Sequence, residues 1–128
     1  MATIRFLSVD DVLAIQQNTI EREGGAAGLR DAGLLESAVL MPQQRFAGEY
    51  LHADLAAMAA AYLFHLVQNH AFQDGNKRVG ALAALVFLSA NGVESLPEPD
   101  DLEAMTMRVA RSEASKEELT EWMRERLE

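Results

Sequence analysis

Two long apolar segments joined by a short polar junction constrain the fold of this chain more than any other feature. Residues 54–68 are almost continuously apolar apart from His65, and residues 81–90 are apolar apart from Ser89. Runs of this length are typical of buried helices. Between them, residues 69–80 (NHAFQDGNKRVG) gather a titratable base, a carboxylate, a glycine and two adjacent cations. A turn between two core helices does not need this chemistry, so the junction is predicted to be a functional site.

Length and composition predict one globular domain spanning residues 1–128. The chain is 49% hydrophobic and 24% charged, which is typical of a folded protein with a single core. It contains no cysteine, which excludes disulfides and thiolate ligands and is typical of a reducing compartment. The sequence has neither a secretory signal pattern nor an apolar run long enough for a membrane span, so we expect a cytoplasmic protein that does not enter the membrane.

The net charge of −9 argues against general binding of nucleic acid, which requires a basic face that neutralises phosphates. The junction nevertheless carries two cations and one carboxylate within an acidic chain. Such a small positive site suits a single phosphate-bearing ligand better than a polymer.

Helical periodicity and capping residues predict an all-α fold of about six helices. Ser8 with Asp11 resembles a capping box for the first helix, which should end at Gly24-Gly25. Asp31 can cap a short second helix that Pro42 stops. The third helix should run from residue 54 to about 69, and the fourth from residue 76 or 77 to the pair Asn91-Gly92, which suits a left-handed cap.

The remaining segments are shorter. Residues 43–53 lack a regular period and predict an exposed loop or small hairpin near the site. Asp100 or Asp101 can cap a fifth helix, and Ser115 with Glu118 makes a capping box for the sixth.

The junction has the composition of an anion site. Gly75 permits backbone conformations closed to other residues, and the amides from Asn76 onwards would point outward at the positive end of the fourth helix. Lys77 and Arg78 could add charge-assisted hydrogen bonds to phosphate oxygens. These four residues are therefore predicted to bind the phosphate groups of a ligand.

Two further side chains supply catalytic chemistry. Asp74 cannot bind a bare phosphate, so its position suggests that it holds Mg²⁺ against the phosphates. His70 could act near neutral pH as a base that takes a proton from an attacking hydroxyl. Taken alone, a histidine between two helices is more often a helix cap than a catalyst, and a Lys-Arg pair is more often part of a solvated helix face. The spacing of these residues taken together favours a functional site. Phe72 is predicted to anchor the loop, and His52 and His65 to be loop and core residues.

The string His70-x-Phe72-x-Asp74-Gly75-Asn76-Lys77-Arg78 resembles the motif of the Fic/Doc superfamily, in the variant of Doc (death-on-curing) toxins. Residues 24–38 and 87–92 resemble the same family. The resemblance implies a helical fold, a histidine base, a carboxylate that holds Mg²⁺, and transfer of part of a nucleotide to a protein hydroxyl.

Two departures from the broader Fic motif indicate which reaction the resemblance implies. Lys77 replaces a glycine and Ala81 stands where AMP-transferring members have a second arginine, and both changes are Doc-like. Doc toxins transfer the γ-phosphate, with ATP as co-substrate and elongation factor Tu as the known type of target. The alternatives are a protein adenylyltransferase and a catalytically silent module that binds nucleotide or a partner.

The resemblance also implies a regulator. Doc toxins are restrained by a separate antitoxin, so an antitoxin partner is expected. Residues 19–24 (TIEREG) fit the superfamily's inhibitory pattern, but its glutamate, Glu23, normally pairs with the arginine that Ala81 replaces. Self-inhibition is therefore not expected.

Overall fold

Six α-helices and one small β-hairpin account for nearly all regular structure in residues 3–127, which are the residues that the computed structural model describes. The elements are α1 (Val9–Glu23), α2 (Ala32–Leu40), a 3-10 turn (Met41–Gln43), β1 (Arg45–Phe46), β2 (Glu49–Tyr50), α3 (Leu55–Asn69), α4 (Asn76–Ala90), α5 (Pro99–Ala110) and α6 (Lys116–Arg126). The predicted all-α fold of about six helices is confirmed. Over the same residues, none of the helices combines the length and the apolarity that crossing a membrane requires.

Helix α3 lies at the centre of the core. Its residues 56–63 are all buried, because small alanines let neighbouring helices approach on every side. It packs against α2, α4, α5 and α6. The predicted start is confirmed, since the carboxylate of Asp54 accepts a hydrogen bond of 2.8 Å from the amide of Ala57.

The other early helices begin and end as predicted. The amide of Asp11 donates to Ser8 Oγ and the amide of Ser8 donates to Asp11 Oδ2, which completes the capping box of α1. Asp31 caps α2 by accepting from the amide of Leu34 at 3.0 Å. Helix α4 ends before Asn91, and Gly92 adopts the expected left-handed conformation with φ of 84°.

Two predicted caps near the end of the chain need correction. Neither Asp100 nor Asp101 caps α5, because Pro99 occupies its first position and both aspartates fall within the first turn, next to the positive end of the helix dipole. In α6, Ser115 accepts from the amide of Glu118 at 3.0 Å, but the reciprocal half of the box does not form. The carboxylate of Glu118 instead pairs with Arg108 at 2.8 Å.

Residues 43–53 contain the predicted small hairpin. Strands β1 and β2 pair antiparallel, with Arg45 opposite Tyr50 and Phe46 opposite Glu49. The two turn residues, Ala47 and Gly48, both have positive φ, which gives the turn the twist that two-residue hairpins require. The side chain of Phe46 is 75% exposed at the tip, so this hairpin projects an aromatic ring into solvent.

Gly80 determines how closely the two central helices approach. A Cβ atom at this position would lie 2.7 Å from Val67 Cγ2 and 3.1 Å from the carbonyl oxygen of Leu63. A side chain would therefore push α4 away from α3. The predicted site lies where these two helices are joined.

A cluster of basic side chains lies where α6 begins. Lys116 Nζ lies 3.0 Å from Nε2 of His65 in α3, and the buried His52 is the third member. Burial, followed by the charges of Lys116 and His52, lowers the pKa of His65 to about 4. Burial also lowers the pKa of His52 and of Lys116. His52 lies in the loop before α3, as predicted, whereas His65 lies on α3 and is only partly buried.

Gly80→Ala is expected to destabilise the protein by about 1–2 kcal/mol, because the cost of overpacking exceeds the roughly 1 kcal/mol that alanine gains over glycine in a helix. Urea unfolding measures the change. Gly33→Ala is the matched control: its Cβ would meet Asp31 Oδ1 at an ordinary 3.4 Å, so this variant should be as stable as the wild type or slightly more stable. Equal stability of Gly80→Ala and Gly33→Ala would contradict the close approach of the helices.

Acid should destabilise the protein through His65. Because its pKa is about 4 in the folded protein and 6.5 in the ordinary state, the unfolded chain binds more protons between these pH values. The contribution of His65 to stability is therefore complete above pH 6.5 and is lost as the pH falls towards 4. Urea unfolding of wild type and His65→Gln across this window should show a smaller pH slope in the variant. Identical slopes would show that His65 does not titrate in this way.

Candidate active site

The loop of residues 70–75 joins the two central helices through two left-handed residues. His70 ends α3 with φ of 50°, and Gly75 precedes α4 with φ of 84°. A left-handed conformation costs a residue with a Cβ roughly 1–2 kcal/mol, whereas glycine adopts it freely. The predicted base and the start of α4 thus lie at opposite ends of one six-residue loop.

The loop is held in place by Asn76 and Phe72. Asn76 Oδ1 accepts from the amide of Phe72 and Asn76 Nδ2 donates to its carbonyl oxygen, both at 3.0 Å. The ring of Phe72 is 2% exposed, which confirms its predicted role as an anchor. Both polar atoms of the Asn76 side chain are used in these two hydrogen bonds. Only the backbone amide of Asn76 is therefore available for the predicted phosphate contact.

The first three amides of α4 have no hydrogen-bond partner among residues 3–127. The first hydrogen bond within this helix runs from the amide of Val79 to the carbonyl oxygen of Gly75, at 2.8 Å. The amides of Asn76, Lys77 and Arg78 precede it and face outward at the positive end of the helix dipole. The side chains of Lys77 and Arg78 are exposed beside them. This arrangement can bind an anion such as a phosphate.

Asp74 is exposed and oriented by two neighbouring segments. Its Oδ2 accepts a hydrogen bond of 2.8 Å from the amide of Ala26, and its carbonyl oxygen accepts from Gln16 Nε2 at 3.4 Å. Within residues 3–127, no hydrogen bond reaches Oδ1, and no group of three or more acidic, histidine or cysteine side chains could hold a metal. One carboxylate oxygen suits Mg²⁺, which proteins commonly bind through one or two carboxylates and the phosphates of a substrate.

A second segment, residues 28–31, lies antiparallel to the loop. The amide of Gln73 donates to the carbonyl oxygen of Gly28 at 3.1 Å, and the amide of Arg30 donates to that of Ala71 at 2.7 Å. Arg30 also directs its guanidinium group at the end of α3. The sequence alone predicts no role for Arg30 or Gln16. Arg30 lies 40 residues before its partner in the loop and Gln16 lies 58 residues before its partner, so no local pattern indicates these contacts.

Glu23 has an arginine partner, contrary to expectation. Its Oε2 lies 3.2 Å from Nε of Arg78, while position 81 is an alanine. Both side chains are about half exposed, at 47% and 48%. An exposed ion pair contributes 0–1 kcal/mol, which is at most about a fivefold effect on a competing ligand. A ligand that competes for Arg78 can therefore displace this pair at a small cost in free energy.

The chain is similar to known proteins over most of its length. A model of the Fic/DOC family matches residues 6–88. The chain is 33% identical over 121 residues to "Protein kinase doc" of Escherichia phage P1, covering 94% of each chain. It is 46% identical over 71 residues to "Toxin Doc" of Mycolicibacterium smegmatis strain ATCC 700084 / mc(2)155, covering 56% of this chain and 55% of that protein.

The helical fold and the extent of these matches define the class: the chain belongs to the Fic/DOC family and is a Fic/Doc-type transferase. Both of these relatives carry the name Doc, and one matches nearly the whole chain. Within the family, this protein is a Doc-like toxin.

Asn76→Ala is expected to destabilise the protein by about 1–3 kcal/mol, because it leaves the amide and carbonyl of Phe72 without partners in a partly buried loop. Urea unfolding measures the loss. The neighbouring variant Lys77→Ala, which removes an exposed side chain, should stay within about 0.5 kcal/mol of the wild type. A stable Asn76→Ala protein would show that the side chain does not clamp the loop.

Proposed function

We propose that this Doc-like toxin transfers the γ-phosphate of a nucleoside triphosphate, with ATP as co-substrate, to a hydroxyl group of a target protein. The observation that supports the proposal most directly is the loop of residues 70–75, which places a histidine and a carboxylate next to the exposed amides of α4. The similarity to "Protein kinase doc" supports phosphate transfer to a protein.

The start of α4 would hold the phosphates. The amides of Asn76, Lys77 and Arg78 donate to phosphate oxygens, the Lys77 ammonium adds a point charge, and the Arg78 guanidinium can bind two oxygens at once. Asp74 would hold Mg²⁺ through Oδ1, and the bound ion would offset the negative charge of the phosphates. Ala26 keeps this carboxylate oriented through its other oxygen.

His70 would act as the general base. It accepts the proton of the target hydroxyl as that oxygen forms a bond to the γ-phosphorus, and the bond between this phosphorus and the β–γ bridging oxygen breaks to release ADP. The side chain is exposed, so a hydroxyl on another protein can reach it. Positioning and charge stabilisation supply most of the acceleration in phosphoryl transfer, which suits a site with few side chains.

The target and the regulator are also part of the proposal. By resemblance to Doc toxins, we propose elongation factor Tu as the target, in the cytoplasm, with a block of translation as the outcome. An antitoxin protein is the proposed partner that restrains the toxin. The net charge of −9 favours protein partners over direct binding of nucleic acid.

The reaction can be tested with ATP labelled on a chosen phosphate. Incubation of the protein with Mg²⁺, γ-labelled ATP and elongation factor Tu should label the target. His70→Ala should lower the rate by roughly 10²–10⁴-fold, because it removes the general base. Gln73→Ala is the matched control, since this exposed side chain lies in the same loop and should leave labelling unchanged.

The position of the label separates the alternatives. Label transferred from the α-phosphate alone would show that the protein is an adenylyltransferase. If neither phosphate is transferred while ATP still binds, the protein is a catalytically silent regulatory module. Labelling that survives His70→Ala would refute the role of this histidine.

A further inference from the structure

We propose that Arg30 is a positioning residue that holds His70 in the orientation needed for proton transfer. This inference rests on the proposed role of His70 as the base. Arg30 lies outside the motif of residues 70–78, in a different segment of the chain. The contacts of its guanidinium group and of its backbone support it.

Arg30 contacts three consecutive carbonyl groups at the end of α3. Its Nε donates to the carbonyl oxygen of His70 at 2.7 Å, and its Nη2 lies 3.3 Å from that of Asn69. Its backbone amide donates to the carbonyl oxygen of Ala71 at 2.7 Å. One residue therefore holds the backbone immediately before, at and after the proposed base.

The end of α3 needs such a partner. The last carbonyl groups of a helix have no intrahelical donor and carry the negative end of its dipole, so a nearby guanidinium is favourable. His70 is also held in a left-handed conformation at φ of 50°, which neighbouring structure must impose on a residue with a Cβ. The charge-assisted bonds from Arg30 supply this constraint.

Other contacts hold the backbone of this region in place. The amide of Asp31 donates to the same Ala71 carbonyl at 3.0 Å, and the carboxylate of Asp31 caps α2. On the other side of the loop, Asn69 Nδ2 donates to the carbonyl oxygen of Leu34 at 3.0 Å. These contacts do not involve the guanidinium, so they persist when the Arg30 side chain is removed. The fold should survive, and the local orientation of His70 should not.

The geometry also predicts that lysine cannot replace this arginine. The guanidinium is a planar fork that reaches two carbonyl oxygens from fixed positions, whereas an ammonium group is a point charge on a flexible stem. Arg30→Lys should retain the favourable charge at the end of the helix but lose the fixed orientation of the His70 backbone.

The first experiment measures γ-phosphate transfer by Arg30→Ala and Arg30→Lys. We expect kcat to fall roughly 10- to 100-fold in Arg30→Ala, the size of effect that a misplacement of about 1 Å produces, with KM for ATP within about twofold of the wild type. Arg30→Lys should lose kcat to a similar extent, because it keeps the positive charge but not the planar fork. Arg111→Ala, which removes an exposed arginine at the end of α5, is the matched control and should keep wild-type kcat.

Chemical rescue separates positioning from a loss of folding. Millimolar guanidinium ion should restore part of the kcat of Arg30→Ala by occupying the vacated space, and it should not restore His70→Ala. Urea unfolding should show that Arg30→Ala remains folded under the assay conditions. Wild-type kcat in Arg30→Ala, or a loss of kcat that follows unfolding and is not rescued, would overturn the proposal.

A second readout does not depend on activity. The NMR signals of the His70 ring should shift and broaden in Arg30→Ala but not in Arg111→Ala. If the wild-type protein transfers no phosphate, the proposed function fails, and these signals still decide whether Arg30 orients His70. Unchanged ring signals in Arg30→Ala would overturn the positioning role.

Discussion

The close contact between α3 and α4 at Gly80 is the constraint on which the site depends. Val67 and the Leu63 carbonyl oxygen leave no space for a Cβ there, so the two helices lie nearly backbone to backbone. This contact fixes the relative positions of the end of α3 and the start of α4. The loop of residues 70–75 joins them through left-handed residues at both ends, His70 and Gly75.

The side chains of His70 and Asp74, which are proposed to perform the chemistry, are exposed. Hydrogen bonds from other segments of the chain hold them or their backbone in place. The Ala26 amide orients the Asp74 carboxylate, and the Arg30 guanidinium holds the carbonyl of His70. The side chain of Asn76 holds the loop from within. Such an arrangement would leave these side chains accessible to the proposed protein substrate while hydrogen bonds hold the backbone beneath them. It also leaves Arg78 free to exchange the weak pairing with Glu23 for a ligand.

Local patterns were sufficient for most of the helices because their determinants lie within a few residues of each other. Ser8, Asp31 and Asp54 each cap a helix through an amide three residues later. The wrong predictions arose where a competing partner came from elsewhere or a stronger local rule applied. Glu118 pairs with Arg108 instead of completing a capping box, and Pro99 displaces the start of α5 away from the aspartates.

The sequence by itself determined the helical fold, the location of the junction and the residue types proposed for catalysis. The helices follow from local periodicity and caps, and the proposed catalytic residues lie within nine consecutive positions between two apolar helices. Only the tertiary structure decided how these residues are held. It showed that Glu23 pairs with Arg78 and that Arg30 reaches the end of α3. The physical reason is distance along the chain: hydrogen bonds and ion pairs between segments about 40 or more residues apart depend on helix packing, which has no periodic or motif-level signature in one sequence.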